Sequence, residues 1–203
     1  MMTDEESAAT SPSEAVDRGL RRPYDPRVWG AVVGAVGGSV FVHANRGDLP
    51  YAVSVVAAVL WAGALAVFVW AVLVAERRFP ALKPLARSAG WVYLLSVAGM
   101  LALIQVGRLL LDSVGEVEAA PALIVLAVGL HFLPFARAFD TPMFTRLGLV
   151  MTVLGVVGLV LGIAWTATAA AGVAVLTGLV MLLVIAEAAL RERPRPRGSV
   201  RRR

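Results

Sequence analysis

The chain reads as an all-α, polytopic membrane protein, a bundle of six transmembrane helices with both termini in the cytoplasm. Three observations predict this class. Of 203 residues, 59% are hydrophobic and 16% charged, whereas soluble domains average about 45–50% apolar and about 25% charged. Six apolar runs stand out, at 28–44, 50–74, 90–111, 120–136, 146–165 and 168–190, each within the roughly 17 to 25 residues that a helix needs to cross the hydrocarbon core. Of the 19 Lys and Arg residues, 17 fall in segments on the side of the termini, and short positively charged segments stay cytoplasmic. Deleting either short span, the first or the fourth, would throw a basic segment to the wrong side, so six spans fit better than five.

Residues 1–27 form a polar amino-terminal segment, 28–190 the membrane domain and 191–203 a basic tail. The first segment lacks the order of basic, apolar and small residues that marks a cleaved signal, so the first span is expected to remain as a signal anchor. Residues 1–10 read as disordered. Ser11, Pro12 and Glu14 match a capping box with proline at the first helical position, which predicts a short juxtamembrane helix over 12–22. The first span places Gly30, Gly34 and Gly38 at intervals of four, and the fifth places Gly148, Gly155 and Gly162 at intervals of seven, with Gly158 adding a second short spacing. Such faces let helix backbones approach closely. These two spans are therefore expected to be innermost, packed within one chain or along a homodimer seam. The tail alternates arginine with proline, Arg191, Arg193, Arg195 and Arg197 before Arg201, Arg202 and Arg203. It is expected as a disordered arm at anionic headgroups, where each arginine is worth about 1 kcal/mol.

With no cysteine in the chain, disulfides and thiolate chemistry are excluded. Two histidines on separate spans make no metal site, no sequence motif for a cofactor is present, and arginines that flank apolar runs do not form a nucleic-acid surface. The polar residues inside the spans remain, and an ionisable group there is a functional-site hypothesis by default. His131 lies ten residues inward from Pro121, about 15 Å along a helix and so near the bilayer midplane. Pro134 removes a backbone donor three residues later and should kink the helix beside it. Gln105, Arg108 and Asp112 share one face of the third span. Two readings follow. Gln105, Arg108, His131 and Pro134 form an outward-facing pocket for a polar or anionic solute, or else His131 bonds a neighbouring helix while Arg108 snorkels and pairs with Asp112.

The stretch Gly129-Leu130-His131-Phe132-Leu133-Pro134-Phe135-Ala136-Arg137-Ala138-Phe139 resembles a segment of small, uncharacterised multi-spanning bacterial membrane proteins. That resemblance implies no activity but draws attention to His131 and Pro134. The expected role is a non-catalytic membrane scaffold or assembly partner in the cytoplasmic membrane. It would meet anionic lipid through its tail and a second copy or another membrane protein through its helices. The alternative is a small-solute or proton-linked permease built on His131, Gln105 and Arg108.

Overall fold

A computed structural model of the chain describes residues 15–79, 88–138 and 142–193. Six helices, α1 (Pro26–Asn45), α2 (Tyr51–Val69), α3 (Ala89–Ser113), α4 (Ala120–Ala138), α5 (Pro142–Ala164) and α6 (Ala167–Arg191), are long and apolar enough to cross a membrane. They match the predicted spans to within four residues at each boundary, with α2 prolonged by a π-helical turn, Trp70–Val74. Local chemistry sets the starts: the Asp25 carboxylate accepts the Arg27 N–H at 2.9 Å with Pro26 at the first position of α1, satisfying a donor that the helix itself leaves open. Thr166 caps α6 in the same way, through the Thr168 N–H.

The centre of the bundle is α6, and not the first and fifth spans as their glycines led us to expect. In its most apolar stretch 56% of α6 is buried, against 17% for α2 and 6% for α3. It packs on α1, α2, α4 and α5, whereas α3 packs chiefly on α4. The physical reason is side-chain size. Ala170, Ala171, Ala174, Gly178, Ala186 and Ala189 of α6 are all buried, and small residues on several sides let several helices approach at once. The glycine faces do pack within the chain. A Cβ at Gly34 would lie 2.5 Å from Ile185, at Gly38 2.8 Å from the Gly178 carbonyl oxygen, at Gly155 2.5 Å from the Leu126 backbone and at Gly162 2.9 Å from Ala170. Gly30 meets Phe144, Gly148 the Gly129 carbonyl and Gly158 Ala122 in the same manner.

The short helix expected over 12–22 is absent in its described part. Ala15–Arg18 is instead a strand, β1, paired antiparallel with β2 (Glu76–Phe79), so that Ala15 faces Phe79 and Asp17 faces Arg77. A 3-10 turn, Gly19–Arg21, follows. Eleven residues are too few for a stable isolated helix, and the segment finds backbone partners on β2 instead. Gly19 is required there, because a Cβ would stand 2.1 Å from the Val72 carbonyl oxygen. Ser11 and Pro12, the disordered stretch assigned to 1–10 and most of the tail lie outside the described residues.

Arg77 then ties this strand pair to the end of α6. Its side chain is only 4% exposed, and its Nη2 and Nε donate to one carboxylate oxygen of Glu192 at 2.5 and 3.1 Å. The Arg78 N–H donates to the Glu192 carbonyl at 2.8 Å, and the Arg77 and Arg22 guanidiniums both lie over the Phe79 ring. Both described ends of the chain are thus clasped at one end of the bundle.

Candidate functional site

His131 sits on α4 two residues beyond the helix middle. Its Nδ1 is buried and has no hydrogen-bond partner among the described residues, and its ring faces the Ser96 backbone of α3. Beside it runs a groove of about 210 Å³ lined by Ser96, Gly99, Met100 and Leu103 of α3 and by Ala127, Leu130, His131 and Pro134 of α4. Gly99, Leu103, Leu130 and Pro134 are themselves exposed, so the groove opens sideways, toward the hydrocarbon in a bilayer. Phe132 and Phe135 lie 5.5 and 5.9 Å from the imidazole; Phe135 also meets Tyr93 of α3 at 5.9 Å, and Phe144 stacks on Phe132 at 5.6 Å. The helix α4 continues through Pro134 to Ala138. Because proline brings no N–H, the Leu130 carbonyl beside the groove loses its intrahelical donor.

Gln105 and Arg108 are not part of this groove. Ser96 and Leu103 point at α4, and Gln105 is nine residues beyond Ser96, which at about 100° per residue places it about 180° around α3. Gln105, Arg108 and Asp112 are all exposed on the face of α3 turned away from the bundle. In depth, too, Gln105 lies six residues beyond Gly99, about 9 Å along the axis. The expected four-residue pocket is therefore divided between two faces: His131 and Pro134 on one, Gln105 and Arg108 on the other. The expected pair of Arg108 with Asp112 does not form either. None of Gln105, Arg108 and Asp112 has a hydrogen-bond or ion-pair partner among the described residues.

Other polar groups follow simpler rules. Ser39, Ser96, Thr152 and Thr177 donate to carbonyls of their own helices at 2.7–2.9 Å, as short hydroxyls in lipid are expected to. Glu187 pairs with Arg191 one turn later and approaches Arg146 at 3.7 Å. Arg193 lies 4.8 Å over the Trp70 ring. The two described tail arginines thus have partners within the protein, and Arg195, Arg197, Arg201, Arg202 and Arg203 lie outside the described residues. The clasp residues Arg77 and Glu192, 115 positions apart, gave no sequence signal beyond their charge. Trp61, whose Nε1 donates to Ser39 at 3.0 Å while its ring meets His43 at 4.3 Å, was equally silent.

Among the described residues no group of three or more His, Cys, Asp or Glu side chains is placed to hold a metal ion. No family model matches the chain, and neither a curated protein nor a solved structure shows significant similarity to it.

Proposed function

We propose that the chain is a non-catalytic component of a membrane assembly, held in the cytoplasmic membrane with both termini inside and presenting α3 to another membrane-embedded helix. The observation that carries this reading is the exposed polar face of α3. Lipid offers nothing to hydrogen-bond, so the donor and acceptor of the Gln105 amide, turned away from their own bundle, are costly without a partner, while Arg108 and Asp112 stand near the helix end at Ser113 and reach the interface. A partner helix would satisfy that amide. The orientation rests on the distribution of Lys and Arg. The arginines beyond Arg193 would then meet anionic headgroups on the same side, adding about 1 kcal/mol each.

Site-specific photo-crosslinking in native membranes tests the reading. A photoreactive residue at Leu101 on α3, 57% exposed, should give a discrete protein adduct, and one at Val153 on α5, 61% exposed, should give lipid adducts only. Equal outcomes at the two positions would overturn the proposal.

The orphaned His131 nitrogen favours a second reading, a proton-linked permease. It requires proton or small-anion flux into proteoliposomes that falls when His131 is replaced by leucine. Flux indistinguishable from that of empty vesicles removes it.

A further inference from the structure

Two polar groups stand at the groove between α3 and α4, and the protein itself completes neither. The Nδ1 of His131 is buried without a hydrogen-bond partner among the described residues, and Pro134 deprives the Leu130 carbonyl of its intrahelical donor. Four properties of the groove define what would complete them. The first is depth. His131 lies eleven residues from Ala120 and seven from Ala138, about 16 and 10 Å along the helix, so an ionic headgroup would have to sink about 10 Å below the interface to reach it. Burying an unpaired charge opposes that. The second is charge: none of the described residues lining the groove bears a carboxylate, ammonium or guanidinium group, so the occupant is neutral.

The third property is size. An apolar cavity of about 150 Å³ takes up benzene, and the groove, at about 210 Å³, therefore admits one aromatic ring with a small substituent. Its mouth passes Gly99, Leu130 and Pro134, all exposed, so such a ring enters from the hydrocarbon and any chain it carries stays there. The fourth is hydrogen bonding. A carbonyl only accepts, and a neutral imidazole has one accepting nitrogen, so the site calls for a donor. An ether or a ketone brings none.

We infer that the groove is a binding site for a long-chain phenol dissolved in the bilayer. The ring lies between α3 and α4 against Gly99 and Pro134, the hydroxyl donates to His131, and the chain leaves through the lateral mouth. A half-turn about χ2, a broad two-fold torsion, carries the enclosed Nδ1 round to the groove when a donor is offered. This inference is independent of the assembly reading, because it concerns the α4-facing side of α3 and needs neither a partner chain nor a path across the membrane.

The test uses the full chain in phospholipid nanodiscs, isotope-labelled at histidine and carrying His43→Gln, so that His131 alone reports. Titration with para-dodecylphenol should shift its imidazole nitrogen resonances saturably. The matching anisole, identical but for its missing O–H, should bind about tenfold more weakly, the value of one buried hydrogen bond. Gly99→Leu puts a side chain into the groove. A Cβ there meets nothing within 4 Å and leucine is the better helix former, so the bundle keeps its fold while phenol affinity should fall at least tenfold. Gly63→Leu on α2, equally open, should change nothing. No saturable shift with the phenol, equal binding of the anisole, or binding that survives Gly99→Leu overturns the inference. A water contact at the imidazole that persists at saturating phenol makes water the occupant and overturns it as well. The photo-crosslink at Leu101 bears on the assembly reading alone, so the two fail separately.

Discussion

Replacing Gly178 by alanine adds a methyl group where α6 crosses α1. The new Cβ would stand 2.3 Å from the Gly38 carbonyl oxygen, 2.8 Å from Val42 Cγ2 and 3.1 Å from Phe41 Cβ. The nearest atom is backbone, so no side chain can rotate away. An unstrained C···O contact needs about 3.3–3.6 Å, and α1 must therefore retreat by about 1 Å. A gap of that size forfeits a quarter to a half of each dispersion contact it opens, along a seam where Ala31, Ala35 and Val42 meet Leu182, Ile185 and Val175. Overpacking of this kind costs about 1–3 kcal/mol, and the rigid neighbour places Gly178→Ala at the upper end, about 2–3 kcal/mol. The matched control is Gly63→Ala on α2, where a Cβ meets nothing within 4 Å. There alanine is the better helix former and no stability should be lost. Unfolding in mixed micelles by titration with SDS, followed by tryptophan fluorescence, measures both. If the two variants agree within about 0.5 kcal/mol, the range of inconsequential surface changes, the close crossing of α1 and α6 is refuted.

Arg77→Met should open the clasp. It removes both charge-assisted bonds to Glu192, a loss of about 1–3 kcal/mol given that the carboxylate stays partly in water, and hydrogen exchange in Glu76–Phe79 should accelerate at least tenfold, by about 1.4 kcal/mol of local opening. The clasp should also respond to acid. The Arg18 N–H, at 2.8 Å, and the nearby Arg22 hold the Asp17 carboxyl below its ordinary value of 3.8, so its contribution is complete above that value and is lost as pH falls through the lowered one. Exchange protection of β1, corrected for intrinsic rates, should be flat at neutral pH and decline only below 3.8, and Asp17→Asn should abolish the decline. His131→Leu should stabilise the bundle by about 1–2 kcal/mol by removing an unpartnered buried nitrogen. A loss of stability in the same SDS titration would mean that a ligand or water meets Nδ1 in the bilayer.

How much of this was legible depends on whether a feature is local. Span positions were, because crossing a bilayer requires an uninterrupted apolar run and the run is its own signal. The packing of Gly34 and Gly38 was half legible: the spacing announced a close approach, but nothing in it named Gly178 as the partner. The strand Ala15–Arg18 was illegible for the opposite reason. Its local signal, Ser11-Pro12-Ser13-Glu14, argued for a helix, and the pairing that overrides it comes from Glu76–Phe79, some sixty residues away in sequence. His131 stands out in the sequence as the deepest titratable group, but which face of α3 meets it is set by packing: the structure puts Ser96 at the groove, and Gln105, nine residues on, falls on the opposite face and so outside the pocket expected of it.

That failure is informative, because the sorting rule of a membrane bundle differs from that of a soluble domain. In water, hydrophobicity decides what is inside. Here α2, α5 and α6 are equally hydrophobic over their best stretches yet differ widely in burial, so hydropathy does not rank them. Small residues alone do not either, since α2 carries six alanines and Gly63 and is still mostly exposed; what sets α6 apart is that its buried Ala170, Ala171, Ala174, Gly178, Ala186 and Ala189 meet several helices at once. In a soluble protein an outward-facing Gln-Arg-Asp stripe needs no explanation. On the lipid side of α3 it is Gln105 that is the anomaly, since hydrocarbon cannot satisfy an amide, whereas Arg108 and Asp112 stand near the helix end at Ser113. The groove at His131 asks for at most one small polar group. The exposed Gln105 of α3 asks for a donor and an acceptor that hydrocarbon lacks, and a facing membrane helix with a polar side chain at that depth would supply them.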